Sequence, residues 1–225
     1  MAQLDDAAAY WPLFQLSVRT PRIELRYPDE AAFMGLTALA RKGVHDPASM
    51  PFSIAWTDQE SPAFEREALK HYWGSRANLS ANSWNLPMAV FVDDELAGVQ
   101  DANAQDFAKL RVAGTGSWLG LEFHGRGIGK EMRAAILHLL FEGLGAVRCV
   151  SGAWHDNGPS HGVSRSLGYA ENGEDLMLRR GEPDRLIRLL LTRAEWEKRR
   201  RDDIEIVGLD GCIDMLIASE DKAAS

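Results

Sequence analysis

The chain has 225 residues, 45% of them hydrophobic and 26% charged, which suits one packed domain with an ordinary polar surface. Its net charge of −8 argues against a nucleic-acid partner, since such proteins present a basic face, but it leaves room for a local basic mouth around an anionic small molecule. Cys149 and Cys212 lie far apart with no Cys-x-x-Cys spacing, so no zinc or iron–sulfur site built on thiolates is expected, and no metal is assigned to the chain.

Met1 to Tyr10 is acidic and alanine-rich, unlike a secretory signal, and no run of ~18 apolar residues occurs. The expected setting is therefore the cytoplasm, with no membrane span. Residues 1–19 read as an N-terminal extension, 202–225 as a C-terminal tail, and 1–225 as a single domain. Ile23, Leu25 and Tyr27 alternate with polar residues and predict a strand. Asp29 opens a helix carrying Phe33, Leu36 and Leu39, which Gly43 ends. Pro47, Pro51 and Pro62 keep the next stretch irregular. A second helix is predicted from about Pro62 to Ala81.

Strands are predicted over 88–92, 96–101 and 107–113, with Trp118-Leu119 ending another. The best helical stripe follows, through Ile128, Met132, Ile136, Leu139, Leu140 and Leu144. Val147 to Ala153 reads as a buried strand and Asn157 to Leu167 as a short helix stopped by Gly168. Strands over 175–180 and 185–191 form a hairpin through residues 181–184. Residues 194–201 read as a charged helical turn, and 204–218 as an apolar segment that packs back. The order of elements predicts an α/β (α+β) domain with a mixed sheet.

Gly125, Gly127 and Gly129 lie between a strand and that amphipathic helix. Glycines let a backbone turn tightly and bring its N–H groups near a ligand, and a helix N-terminus favours an anion. Arg126 and Lys130 add positive charge, so the loop suits a pyrophosphate. No Gly-Lys-Ser/Thr follows, which excludes a Walker A loop, and the glycine spacing is wrong for a dinucleotide fingerprint.

The segment 116–130 resembles motif A of the GNAT acyltransferase superfamily, Gln/Arg-x-x-Gly-x-Gly/Ala, with His124 in the first place. Downstream, Asn157-Gly158-Pro159-Ser160 and Leu167-Gly168-Tyr169 look like the Asn-x-x-Ser…Leu-Gly-Phe/Tyr signature of the branch that acetylates N-termini of ribosomal proteins. By element order the resemblance covers roughly residues 20–195. It implies a mostly antiparallel central sheet flanked by helices, with a V-shaped split between central strands. It also implies acetyl-CoA or another acyl-CoA as co-substrate. His124, Gly125, Arg126, Gly127, Ile128, Gly129 and Lys130 would hold the pyrophosphate. The backbone of Trp118 and Leu119 would pair with pantetheine and polarise the thioester, with Asn157 and Ser160 at the cofactor edge.

Acyl transfer to an amine needs a neutral amine, an oxyanion donor and a proton for the departing thiolate, but no covalent nucleophile. Ser164 occupies the place where many family members carry a tyrosine acid, so the branch resemblance assigns the acid to Ser160. Asp101, on a strand beside the active strand, is the candidate base through water. Glu122, His45, His155 and His161 are further candidates. The bulky segment 50–56, with Phe52 and Trp56, is the expected wall of the acceptor pocket. The expected reaction is direct acyl transfer, acetyl by default, from acyl-CoA to a primary amine of a small molecule, a protein N-terminus or a lysine. A GNAT-fold protein that binds or senses acyl-CoA without turnover is the second reading, and a nucleotide-binding loop the third. A homodimer is compatible with either of the first two.

Overall fold

The computed structural model describes residues 4–218. In chain order its elements are α1 (Leu4–Tyr10), β1 (Ser17–Arg19), β2 (Ile23–Arg26), α2 (Glu30–Lys42), α3 (Ala63–Ala77), β3 (Ser83–Val92), β4 (Glu95–Gln105), α4 (Phe107–Leu110) and β5 (Val112–Leu119). Then follow α5 (Ile128–His138), β6 (Arg148–Trp154), α6 (Gly158–Ser166), β7 (Ala170–Arg179), β8 (Glu182–Thr192), α7 (Arg193–Glu197), β9 (Glu205–Val207) and α8 (Ile213–Leu216). The strands form one nine-stranded sheet in the order β7-β8-β6-β5-β4-β3-β2-β1-β9. Every adjacent pair is antiparallel except β5–β6, whose strands are joined by the α5 crossover and therefore run parallel.

Helices cover both faces. α5 is buried almost all round, and Ile128, Met132, Ile136 and Leu140 join the main core. It ends in a π turn over Leu139–Gly143. On the other face α2 and α3 bury Phe33, Leu36 and Tyr72 against Ala89 and Val99. The α2 boundaries follow local chemistry: Asp29 accepts the Ala32 N–H at 2.8 Å, and Gly43 leaves the helix at φ 121°.

The mixed, mostly antiparallel sheet is as expected. Of the segment 107–113 only Val112 and Ala113 are strand, as the start of β5; residues 107–111 are not. Asp106 and Arg111 both adopt left-handed backbone (φ 49° and 51°), and between them α4 buries Phe107 against Trp84 at 5.5 Å. The preceding strand instead runs on to Gln105, and β5 starts at Val112. The late hairpin turns at Arg180-Gly181, both at positive φ, rather than through 181–184, so Glu182 and Pro183 already belong to β8.

Both ends of the chain add to the sheet. In the 1–19 extension Leu13, Leu16 and Val18 are buried and β1 pairs with β2. In the 202–225 tail β9 pairs with β1, and the Leu216 carbonyl accepts the Trp84 indole N–H at 2.9 Å. Residues 1–3 and 219–225 of these two segments lie outside the described residues. Among the described residues no helix is long and apolar enough to cross a membrane.

Candidate active site

The parallel pair β5–β6 is in register only at Val112–Gly114 against Arg148–Val150. Beyond that point the two strands diverge and leave the V-shaped split. Its vertex lies near Thr115 and Ser151, where the Ser151 hydroxyl donates to the Thr115 carbonyl at 3.1 Å. Its mouth lies at Leu119, where the glycine loop begins. The Gly120 N–H donates to the Ala97 carbonyl of β4 at 2.9 Å. Strand alternation then aims the peptide groups of Trp118 at β4 and those of Ser117 and Leu119 into the split. Trp118 contributes through its indole instead, 6.1 Å from Trp56.

The loop is built on backbone conformation. Gly125 and Gly127 sit at φ 72° and 79°, where other residues are strained, and Gly127 is the N-cap of α5. A Cβ at Gly125 would meet nothing within 4 Å, and one at Gly127 only Arg22 Nη1 at 4.0 Å. Gly129 differs: its φ is helical, and a Cβ there would make ordinary contact with Leu119 and Val163 at 3.9 Å, so this place has room for alanine. Ile128 is buried beneath the loop, while Arg126 and Lys130 are exposed and make no ion pair among the described residues. His124 turns back: its Nε2 lies 3.1 Å from the Leu119 carbonyl, which can only accept, so this nitrogen carries the hydrogen. The ring thus ties the loop to the strand end.

Arg22 joins the loop without any signal in the sequence. Its guanidinium donates to the Arg126 carbonyl at 3.0 Å and pairs with Glu131 at 3.1 Å. Only the fold brings it across from the turn before β2. Glu131, nearly buried, also accepts from the Thr20 hydroxyl at 2.7 Å.

Asp101 pairs with Gly116 across β4–β5 and faces α2 and α3. Its Oδ1 is buried with no partner among the described residues, and burial pushes its pKa up to about 7. A Cβ on Gly116 would meet nothing within 4 Å, so there is space beside the carboxylate. The Tyr72 hydroxyl stays protonated far above the usual range, chiefly through burial and then through the Asp101 charge. Phe52, Trp56 and Trp118 extend the same face: ring centroids lie 5.2 Å apart for Phe52–Trp56, and Trp56 stacks on Phe64 at 5.8 Å. Beyond Trp56 a cleft of about 190 Å³ lies among Arg41, His45, Asp58, Ser61 and Phe64. The whole loop is pinned from the β7–β8 hairpin, because Arg179 donates to the Met50 carbonyl at 2.8 Å and Arg180 binds Asp58 at 2.7 Å. Neither arginine was evident as a site residue.

Asn157 caps α6 by accepting the Ser160 N–H at 3.1 Å, and α6 packs on the first turn of α5. No hydrogen bond engages the Ser160 hydroxyl among the described residues, whereas Ser164 is fully buried with its hydroxyl unpartnered. Tyr169 contacts the Thr115 hydroxyl at 3.2 Å near the vertex, and burial raises its pKa to about 12. The histidines are engaged elsewhere: His45 with Thr57 at 2.7 Å, His155 with Asp184 at 3.1 Å, and His161 with the Trp154 carbonyl at 2.9 Å. Glu122 is exposed on a 3-10 turn. Among the described residues no group of acidic, histidine or cysteine side chains is arranged to hold a metal.

A split parallel pair with a glycine loop at its mouth is the architecture of an acyl-CoA-dependent acyltransferase. The acetyltransferase (GNAT) domain family matches residues 22–170, and the chain belongs to that family. Among solved structures, a Mycobacterium smegmatis RimJ in complex with CoA-disulfide is 19% identical, with a TM-score of 0.63 over 80% of this chain and 88% of its own. RimL, a ribosomal-protein α-N-acetyltransferase in complex with coenzyme A, is 21% identical, with a TM-score of 0.59 over 77% of this chain and 95% of its own. A spermidine N-acetyltransferase chimera from Vibrio cholerae is 15% identical, with a TM-score of 0.61 over 79% and 99%. These likenesses are of fold.

Proposed function

We propose that the protein transfers an acyl group from acyl-CoA to a primary amine by direct attack, with the acyl donor entering from one sheet face and the amine from the other. The observation that carries this reading is the split at β5–β6, open to the basic glycine loop at its mouth and flanked by Asp101 across the adjacent strand. The Gly125–Lys130 loop would bind the pyrophosphate through backbone N–H groups, Arg126 and Lys130, with Arg22 bracing the loop. Peptide groups of Ser117 and Leu119 would hold pantetheine and donate to the thioester oxygen.

The amine would approach past Phe52, Trp56 and Trp118. Asp101, whose pKa burial raises to about 7, would take a proton from the ammonium through water and leave the nitrogen lone pair free. Nitrogen then attacks the thioester carbon, the tetrahedral oxyanion collapses, and the carbon–sulfur bond breaks. The positively charged nitrogen formed by the attack would give up its remaining extra proton, which would pass to the departing thiolate through the Ser160 hydroxyl as that hydroxyl hydrogen-bonds the sulfur. The reaction would run in the cytoplasm, where acyl-CoA is available. The motifs favour the ribosomal-protein N-terminal branch, with a small polyamine or a lysine as competing acceptors.

The test is thiol release from acyl-CoA with a panel of N-terminal peptides, lysine peptides and polyamines, alongside calorimetry with CoA. Saturable, amine-dependent thiol release is expected. CoA binding without turnover on any amine would leave a binding or sensing protein, and failure to bind CoA would overturn the reading.

A further inference from the structure

Arg133 projects from α5 to the vertex of the split, and it is a buried cation surrounded by neutral groups. The residue is 5% exposed. Its Nε donates to Gln100 Oε1 at 3.3 Å, Nη1 to the Ser151 hydroxyl at 3.4 Å and Nη2 to the Ser117 hydroxyl at 3.1 Å. These partners come from β4, β6 and β5, so the guanidinium bridges the strands on both sides of the split. The Tyr169 hydroxyl lies beside it. Among the described residues no carboxylate pairs with Arg133. Glu131, two positions away and therefore on another face of the helix, is engaged by Thr20, Arg22 and Arg201.

A guanidinium taken out of water without a counter-ion is costly, and neutral oxygens at these long distances repay only part of that. Three of its five N–H groups are used, which leaves donors for a planar anion. The position of the vertex supplies the rest of the argument. Phosphates at the glycine loop and pantetheine along Ser117 and Leu119 put the acyl end deepest, at the closed end of the V. We propose that Arg133 selects an acyl-CoA whose acyl chain ends in a carboxylate, a monothioester of a dicarboxylic acid. This inference rests on the acyl-transfer reading and adds the class of donor to it.

Calorimetry of the full chain with CoA, butyryl-CoA and succinyl-CoA tests it, since the two thioesters carry the same number of acyl carbons and differ by the terminal carboxylate. Succinyl-CoA should bind roughly 10–100-fold more tightly than butyryl-CoA, the range for a charge-assisted, partly buried pair. In Arg133→Gln the ratio of the two affinities, read within the same protein, should fall to near one. A guanidinium that merely braces the split would give no preference for succinyl-CoA in the unaltered chain, and that result overturns the proposal. So does a preference that survives Arg133→Gln. If Arg133→Gln does not fold, the ratio in the unaltered chain decides. CoA binding without succinyl preference sinks only this inference, whereas absence of binding to all three sinks the acyl-transfer reading with it.

Discussion

Gln100 and Asp101 are neighbours on β4, yet they serve opposite faces of the sheet. Gln100 points toward α5 and accepts from Arg133, in a surround of hydroxyls and amides with an uncompensated positive charge. Asp101 points toward α2 and α3, in an aromatic surround where burial raises its pKa. On the proposed mechanism one face would receive an anionic, electrophilic donor and the other a nucleophile that must shed a proton. Period-two alternation of a single strand is enough to separate the two half-sites while keeping them one residue apart. With the half-sites separated in this way, substitutions should divide cleanly into those that change CoA affinity and those that change turnover.

The largest effect should come from the donor side. Gly127→Val forces a β-branched residue to φ 79° at the N-cap that aims the loop N–H groups. CoA affinity should fall at least ~100-fold while the far-ultraviolet circular dichroism stays native, because the loop is exposed and a Cβ meets only Arg22. Normal CoA binding by this variant would remove the loop from the site.

On the acceptor face, Asp101→Asn should lower kcat by roughly 100- to 10,000-fold with CoA affinity nearly unchanged. In the unaltered protein kcat/KM should rise with pH through about 7, as the carboxylate ionises, and the residual activity of the variant should lack that limb. Stability moves the other way. The folded pKa lies above the unfolded one, so the protonated carboxyl's contribution is full below the unfolded value and is lost as pH rises through about 7. Between pH 5 and pH 8 the unaltered chain should therefore lose on the order of 2 kcal/mol that Asp101→Asn does not. A flat difference in denaturant unfolding between those two pH values would mean that the carboxylate is solvated.

Ser160→Ala should lower kcat by about 10- to 1,000-fold and leave CoA affinity close to unchanged, because the backbone N–H that Asn157 caps is retained. Steady-state kinetics with any accepted amine checks this. Full turnover would assign the proton to water or to Tyr169, whose raised pKa keeps it protonated at the vertex.

These differences in role track how legible each residue was in the sequence. The glycine loop could be read because its requirement is local: positive φ at 125 and 127 just before an amphipathic helix admits few residues. Asp101 could be placed on a strand next to the active one, but its burial comes from the helices and aromatic side chains that cover that face, which periodicity does not show. Arg133 was hidden for a related reason. Almost every residue of α5 is buried, so the helical stripe does not mark which charge points inward. The strand expected over 107–113 fails at 107–111, where two left-handed residues, neither of them glycine, fold a short helix that no turn signature announces. Arg22, Arg179 and Arg180 act on segments distant in sequence, and only the tertiary fold joins them.

Arg22→Ala is the finest probe of the division between the two faces. Arg22 clamps the Arg126 carbonyl from outside the loop and shares Glu131 with Thr20 and Arg201. Removing it leaves Glu131 hydrogen-bonded to Thr20, so the fold should persist. The loop loses one brace and the phosphate site loses one nearby positive charge. Because the Arg22 side chain is half exposed, the loss should be small, about 1 kcal/mol in CoA affinity at low salt. It should shrink toward zero as ionic strength rises past 0.15 M or so, where screening acts over about 8 Å. Arg22→Lys should retain the charge but not the fork that spans the Arg126 carbonyl and Glu131, and should recover about half of the loss. Calorimetry with CoA across a salt series reads all of this, with kcat unchanged at saturating donor. A fall in kcat at saturation, with no salt dependence in affinity, would instead show that Arg22 positions the reacting atoms, and the boundary between donor side and acceptor side would have to be redrawn through β2.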